Sequence, residues 1–207
     1  MDFSVNDKTE AEDRMSKIKL IGCHVGWTEL MRFVVGCDLE EFKRYYRALE
    51  GLHDYFKSLG LSDVVEGELG VVEEYWVTRD PSHLIVWREN GEVVGHAIWH
   101  ETSTEEHRKG DPRDDEDREM LERLLGGKRG FVELHEVWLM EEYRGKGYGK
   151  KFFEFFEGFI KDRGYDSIVY YADHPVAVAI CRERGYREDY LAGEGWHVFY
   201  LSLKKKT

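Results

Sequence analysis

The chain of 207 residues lacks long hydrophobic runs, and it contains few cysteines and few prolines. No stretch approaches the ~18 apolar residues that a membrane-spanning helix requires, so we expect no membrane partner. Residues 1–19 lack the apolar core of a secretory signal. The three cysteines, Cys23, Cys37 and Cys181, are odd in number and far apart, which argues against a disulfide framework or a zinc knuckle. These absences together predict a protein of the reducing cytoplasm.

Positive charge is also scarce, with 30 basic against 42 acidic residues and a net charge of −12. A duplex-DNA binder normally carries a basic footprint, so nucleic acid is not expected as a partner. The chain has no glutamine and only two asparagines, Asn6 and Asn90, while charged residues reach 35%. Few thermolabile amides and many ionic side chains are typical of thermophile proteins.

Hydrophobic periodicity predicts one mixed α/β domain. Residues 1–28 predict an N-terminal tail or irregular segment, and residues 29–207 a single domain. The strand-like runs are 29–35, 83–88, 92–100, 131–140, 166–172 and 195–203. Asn90-Gly91, between the second and third runs, predicts a hairpin. Helical spacing predicts helices after Asp38 up to Gly60, around 121–125, from residue 150 to Gly164, and from Pro175 to Gly185. Residues 61–80 give no clear pattern.

The segment Arg144-Gly145-Lys146-Gly147-Tyr148-Gly149, followed by Lys150, lies between a predicted strand and a predicted helix. Glycines allow a close approach of the backbone to a ligand, and a helix N-terminus presents free N–H groups to an anion. In so acidic a protein, this basic turn predicts a bound anion such as a pyrophosphate. A P-loop does not fit the glycine spacing. A dinucleotide site fits poorly, because only about 60 residues follow the turn.

The same segment resembles the R/Q-x-x-G-x-G/A turn of the GNAT acetyltransferase superfamily. The lead-in 139–143 and the helix 177–186 also resemble that family, with Glu141 replacing a proline and Cys181 replacing a tyrosine. The resemblance implies a mostly antiparallel central sheet with flanking helices, and direct acetyl transfer from acetyl-CoA to a primary amine. It implies CoA binding by the turn and by the backbone of Leu139. We add His174, the predicted N-cap of the next helix, to the cofactor-binding candidates.

An ammonium group must lose a proton before the amine can attack a thioester, so the reaction calls for a base. Side chains alternate along a strand, which places Glu133, His135 and Leu139 on one face. The resemblance places family base positions at Glu133 and His135, and both remain candidates. The family's acid, a tyrosine, falls at Cys181, which we expect to be mainly a packing residue.

The sequence is compatible with several alternatives. The chain is either an enzyme acting on a small-molecule or protein amine or a non-catalytic acyl-CoA-binding module. A nucleotide-binding oxidoreductase is the third hypothesis. We expect no metal, since His96 and His100 lie about 13 Å apart along a strand. The acidic segment 101–119 predicts either a solvated loop or a rim that attracts a cationic amine. The sequence leaves open the acceptor and whether the chain forms a homodimer.

Overall fold

The computed structural model describes residues 31–61, 64–78, 80–107, 114–127, 129–191 and 195–204. The strands there are β1 Met31–Val35, β2 Leu84–Glu89, β3 Glu92–Ser103, β4 Gly130–Leu139, β5 Ser167–Ala172, β6 Arg187–Leu191 and β7 Trp196–Ser202. The helices are α1 Leu39–Arg47, α2 Glu50–Ser58, α3 Val64–Thr78, α4 Asp114–Leu125, α5 Tyr148–Asp162 and α6 Pro175–Glu183. Single 3-10 turns cover Pro81–His83 and Glu141–Tyr143.

The strands are hydrogen-bonded in the order β1-β2-β3-β4-β5-β7-β6. Strands β4 and β5 run parallel, whereas β1/β2, β5/β7 and β6/β7 are antiparallel. The predicted mixed, mostly antiparallel α/β sheet is therefore confirmed. The chain divides into two compact units, one ending at His96 and the other beginning at Ala97. The single domain over 29–207 stays a prediction, and the predicted tail 1–28 lies outside the described residues.

In the first unit, α1 contacts β2 through an ion pair and β3 through aromatic rings. Asp38 caps α1 by accepting a 2.8 Å hydrogen bond from the backbone N–H of Glu41, as predicted. The guanidinium of Arg88 on β2 binds the Glu41 carboxylate at 2.8 and 2.5 Å. Phe42 and Tyr46 are fully buried on the inner face of α1, and their rings contact His96. This network fixes the helix against the strands.

In the second unit, helices α4 and α5 supply separate apolar contacts. One face of α5 buries Phe152, Phe153, Phe156, Phe159 and Ile160. Helix α4 contributes Met120 and Leu124 to a buried cluster with Phe131 of β4 and Val169 of β5. Register places Glu133 opposite Val169. Glu133 therefore projects from the sheet face that α4 covers, two residues beyond the apolar cluster.

Three differences from the predictions have physical reasons. Helix α3 was not predicted, because Gly67 and Gly70 weaken a helical pattern. Strand β6 was missed because its sequence is mainly polar, which suits a strand at the end of the sheet order. Helix α4 begins at Asp114, seven residues before Leu121, where the predicted helix begins. The prediction was too short because the first turns of α4 carry acidic residues, which are typical of a loop. No described helix is long and apolar enough to cross a membrane.

Candidate active site

The glycine turn lies where the sequence placed it, between β4 and α5. Gly147 is the N-cap of α5 and has φ of +81°, a left-handed conformation that favours glycine. A Cβ atom at Gly147 would meet no described atom within 4 Å, so the backbone there faces open space. Gly149 has a different role. A Cβ there would lie 3.0 Å from Cδ1 of Ile180, so this glycine allows α5 to pack closely on α6.

The basic side chains of the turn contact neighbouring groups of the same chain. The guanidinium of Arg144 lies 4.7 Å from the centre of the Trp138 ring. Its Nε donates a 2.8 Å hydrogen bond to the carbonyl oxygen of Leu139. Lys146 lies over the Tyr143 ring at 5.1 Å, and Lys150 forms a 2.6 Å ion pair with Glu183. The turn therefore combines exposed positive charge with an accessible helix N-terminus, the arrangement that suits a phosphate.

Glu133 on β4 lies among three histidines. Its Oε2 is 2.9 Å from Nδ1 of His107 and 3.4 Å from Nε2 of His100, and its Oε1 is 3.6 Å from Nδ1 of His135. Burial opposes ionisation of Glu133, but its interactions with these histidines outweigh burial and hold its pKa well below the usual range. The Glu133 side chain is 9% exposed, whereas that of His135 is 39% exposed. Solvent therefore reaches His135 far more easily than Glu133.

His107, in the turn after β3, joins Glu133 to a second buried carboxylate, that of Asp117 on α4. Its Nε2 lies 2.9 Å from Oδ2 of Asp117 and 3.0 Å from the hydroxyl of Tyr171 on β5. The hydroxyl donates to Oδ1 of Asp117 at 2.8 Å, and its oxygen can accept a hydrogen bond from Nε2. Burial lowers the pKa of His107, but hydrogen bonds to Asp117 and Glu133 and their charges raise it to about 9. One imidazolium therefore lies between two carboxylates.

Comparison of the chain with models of protein families gives a match that includes this turn and strand. The model described as "Acetyltransferase (GNAT) family" matches residues 46–186, more than half of the chain. The chain belongs to the GNAT acetyltransferase family. The resemblance seen in the glycine turn is thereby confirmed. The prediction that the chain is an N-acetyltransferase is confirmed as well. No curated protein sequence matches the chain.

Solved structures share the GNAT fold at low sequence identity. Arylalkylamine N-acetyltransferase 2 from Aedes aegypti is 16% identical, with a TM-score of 0.56 over 84% of this chain and 99% of the other. PaiA N-acetyltransferase from Thermoplasma acidophilum, in complex with coenzyme A, is 12% identical, with a TM-score of 0.57 over 83% and 98%. A Drosophila melanogaster polyamine N-acetyltransferase that forms N-acetylagmatine is 13% identical, with a TM-score of 0.52 over 83% and 99%.

Two further candidate residues of this GNAT chain lie on α6. His174 caps that helix, as predicted, by accepting a 3.3 Å hydrogen bond from the N–H of Val176. Its assignment to cofactor binding stays a prediction. Cys181 is 0% exposed, and burial together with the charge of Glu157 raises its pKa to about 12. Such a thiol stays protonated, but it lies in the core, so its role as a catalytic acid also stays a prediction.

The sequence did not single out His107 or Asp117. Both lie in the charged segment 101–119, yet both are buried, so the solvated-loop interpretation is wrong for them. A signal existed in helical spacing, since Asp117 lies three and four residues before the buried Met120 and Leu121 and thus on their face of α4. Among the described residues, no group of three or more His, Cys, Asp or Glu is arranged to hold a metal ion.

Proposed function

We propose that this GNAT enzyme binds acetyl-CoA at the turn 144–150 and transfers the acetyl group to a primary amine by direct attack. The single observation that carries the proposal is the open, left-handed Gly147 at the N-terminus of α5, directly after the strand that holds Glu133 and His135. The N–H groups of this first turn suit the pyrophosphate of CoA. Binding of CoA by the related PaiA enzyme supports this assignment.

A cationic small-molecule amine is the acceptor that fits best. The chain carries a net charge of −12, which attracts cations toward its surface. Structural relatives act on arylalkylamines and form N-acetylagmatine, and both substrates are amines of this class. The amine nitrogen attacks the thioester carbon, the carbon–sulfur bond breaks, and the CoA sulfur leaves as a thiolate.

We assign the amine proton to the pair formed by His135 and Glu133. A carboxylate whose pKa is held low and whose side chain is 9% exposed accepts a proton poorly from a bound amine. The half-exposed imidazole of His135 is more accessible, and its Nδ1 faces Oε1 of Glu133. Glu133 can therefore orient the ring and stabilise the imidazolium that forms, as a carboxylate does beside a histidine base.

The test is an amine panel with acetyl-CoA, in which release of free CoA is followed continuously and the acetylated product is identified by mass spectrometry. The panel includes agmatine, spermidine, tyramine and peptides with a free N-terminus or a lysine. We expect turnover with a small cationic amine, one CoA being released for each product. Calorimetric binding of CoA without turnover on any amine would instead indicate a non-catalytic acyl-CoA-binding module. Preference for NADPH over CoA would indicate an oxidoreductase.

A further inference from the structure

The two oxygens of the Glu133 carboxylate face different surroundings. Oε2 faces the interior and contacts His107 at 2.9 Å, whereas Oε1 faces the half-exposed His135. We propose that His107 is a positioning residue, which holds Oε2 of Glu133 so that Oε1 is presented to His135 for the acetyl transfer proposed above. This role rests on that proposed function and deepens it.

The position of His107 is itself fixed from several sides. Its backbone N–H donates a 2.9 Å hydrogen bond to the carbonyl of Ser103 at the end of β3. Its ring stacks on Tyr171 of β5 at 5.3 Å, with 19° between the planes, and contacts Phe131 of β4. Asp117 of α4 and the Tyr171 hydroxyl hold its Nε2. A ring held in this way leaves one direction for Nδ1, and that direction is toward Glu133.

The charges around Glu133 make the role of His107 distinct from that of the other histidines. The titratable groups that face the Glu133 carboxylate are His100 of β3, His107 of the turn after it, and His135 of β4. Beyond His107 lie Asp117 and Tyr171. Of the three histidines, His107 is the most buried and has the shortest contact with Glu133. Its imidazolium favours the ionised carboxylate by charge as well as by hydrogen bonding.

The proposal predicts a change in pH dependence that a purely structural role would not produce. In His107→Gln, the Glu133–His135 pair loses a neighbouring positive charge, and its affinity for a proton rises. We expect kcat to fall by about 10- to 100-fold, by analogy with the loss of hydrogen-bonded groups that orient metal-ligating side chains. The acidic limb of the kcat profile should move to higher pH, while the KM for acetyl-CoA stays unchanged. An equal loss at every pH would overturn the proposal.

Double variants test whether His107 acts through Glu133. If it does, His107→Gln should cost little further kcat in a Glu133→Gln background, because the group it positions is already altered. If the losses of kcat in the two single variants instead multiply in the double variant, the proposal is overturned, even when the wild-type enzyme acetylates an amine. Absence of turnover by the wild-type enzyme on the whole panel would instead end the proposed function, and the positioning role with it. The two failures are therefore distinguishable.

A second variant keeps the test decisive if His107→Gln does not fold. Tyr171→Phe keeps the stacked ring but removes the hydroxyl that links His107 to Asp117. We expect a fall in kcat of about threefold or more that disappears in the Glu133→Gln background. The matched control is Tyr200→Phe, which removes a hydroxyl from a buried tyrosine of the α4 cluster against which the partly buried Tyr171 packs. Equal effects of the two substitutions would overturn the proposal.

Discussion

Protonation of His107 should make the stability of this enzyme depend on pH across the neutral range. A histidine in the unfolded chain has its ordinary pKa of 6.5, whereas in the folded protein the pKa of His107 is about 9. Between these values the folded state holds a proton that the unfolded state has lost. The contribution of His107 is therefore fully present below pH 6.5, and it is lost as the pH rises through about 9.

The size of the effect follows from the same two values. At about 1.4 kcal/mol for each pH unit between them, His107 contributes on the order of 3 kcal/mol to the free energy of unfolding at low pH. Glu133 acts in the opposite sense. Its pKa is held below the ordinary 4.5, so its contribution is present above that pH and is lost as the pH falls further. The cluster is therefore most stabilising between about pH 4.5 and 6.5.

The assay is urea unfolding of the wild-type protein and of His107→Gln at intervals from pH 6 to pH 10. The difference in free energy of unfolding between them should shrink by on the order of 3 kcal/mol over this range. A matched control is His197→Gln, which removes an imidazole from an exposed 2.7 Å hydrogen bond with Glu188. In this control, the free energy of unfolding should keep most of its wild-type dependence on pH. The same slope in His107→Gln and in the wild type would refute the charged state assigned to His107. If that variant does not fold, NMR titration of the His107 ring in the wild-type protein decides the question.

Further substitutions test the proposed CoA-binding turn, the Glu133 carboxylate and the Cys181 thiol. Gly147→Asn should weaken CoA binding at least tenfold by calorimetry. The control is Gly164→Asn, at the other end of α5, where φ is +88° and the space is equally open; it should not weaken CoA binding. Equal losses of affinity in the two variants would contradict the anion site. Arg144→Ala should weaken CoA binding less than Gly147→Asn, because the backbone N–H groups remain. Glu133→Gln should lower kcat by about 10²-fold at pH 7. The loss of kcat should be smaller at high pH, where more of the amine is already neutral. A loss of kcat that is independent of pH would argue for a structural role of Glu133. Cys181→Ala should keep kcat within about tenfold, and a larger loss with unchanged melting temperature would make Cys181 the acid.

The sequence predicted the glycine turn and its flanking elements because local rules fix them. Short stretches of sequence determine the left-handed backbone at Gly147 and Gly164, the histidine cap before Pro175 and the apolar face of α5. The same stretches carried the resemblance to the GNAT family. Local pattern alone did not separate ligand-facing from structural glycines. Only the 3.0 Å approach of Ile180 shows that Gly149 serves helix packing.

The buried network could not be predicted in the same way, because it is formed by residues far apart in sequence. Glu133 and His135 were found by strand alternation, which is a local signal. Their partners come from the turn after β3, from α4 and from β5, and only the folded chain brings them together. In the sequence, His107 and Asp117 are two members of a charged segment whose composition indicates solvent exposure.

The proposed roles of His135 as proton acceptor and Glu133 as supporting carboxylate rest on how burial and charge act on each group. A direct base at Glu133 would need both access to the amine and a pKa near the working pH. Burial restricts the access, and the histidines around Glu133 lower its pKa. The same features suit a carboxylate that remains charged and fixed in place beside an exposed imidazole. Because His107 already carries a proton, it cannot accept the one that the amine loses. His135 is 39% exposed and His100 18% exposed, so we propose His135 as the acceptor beside Glu133.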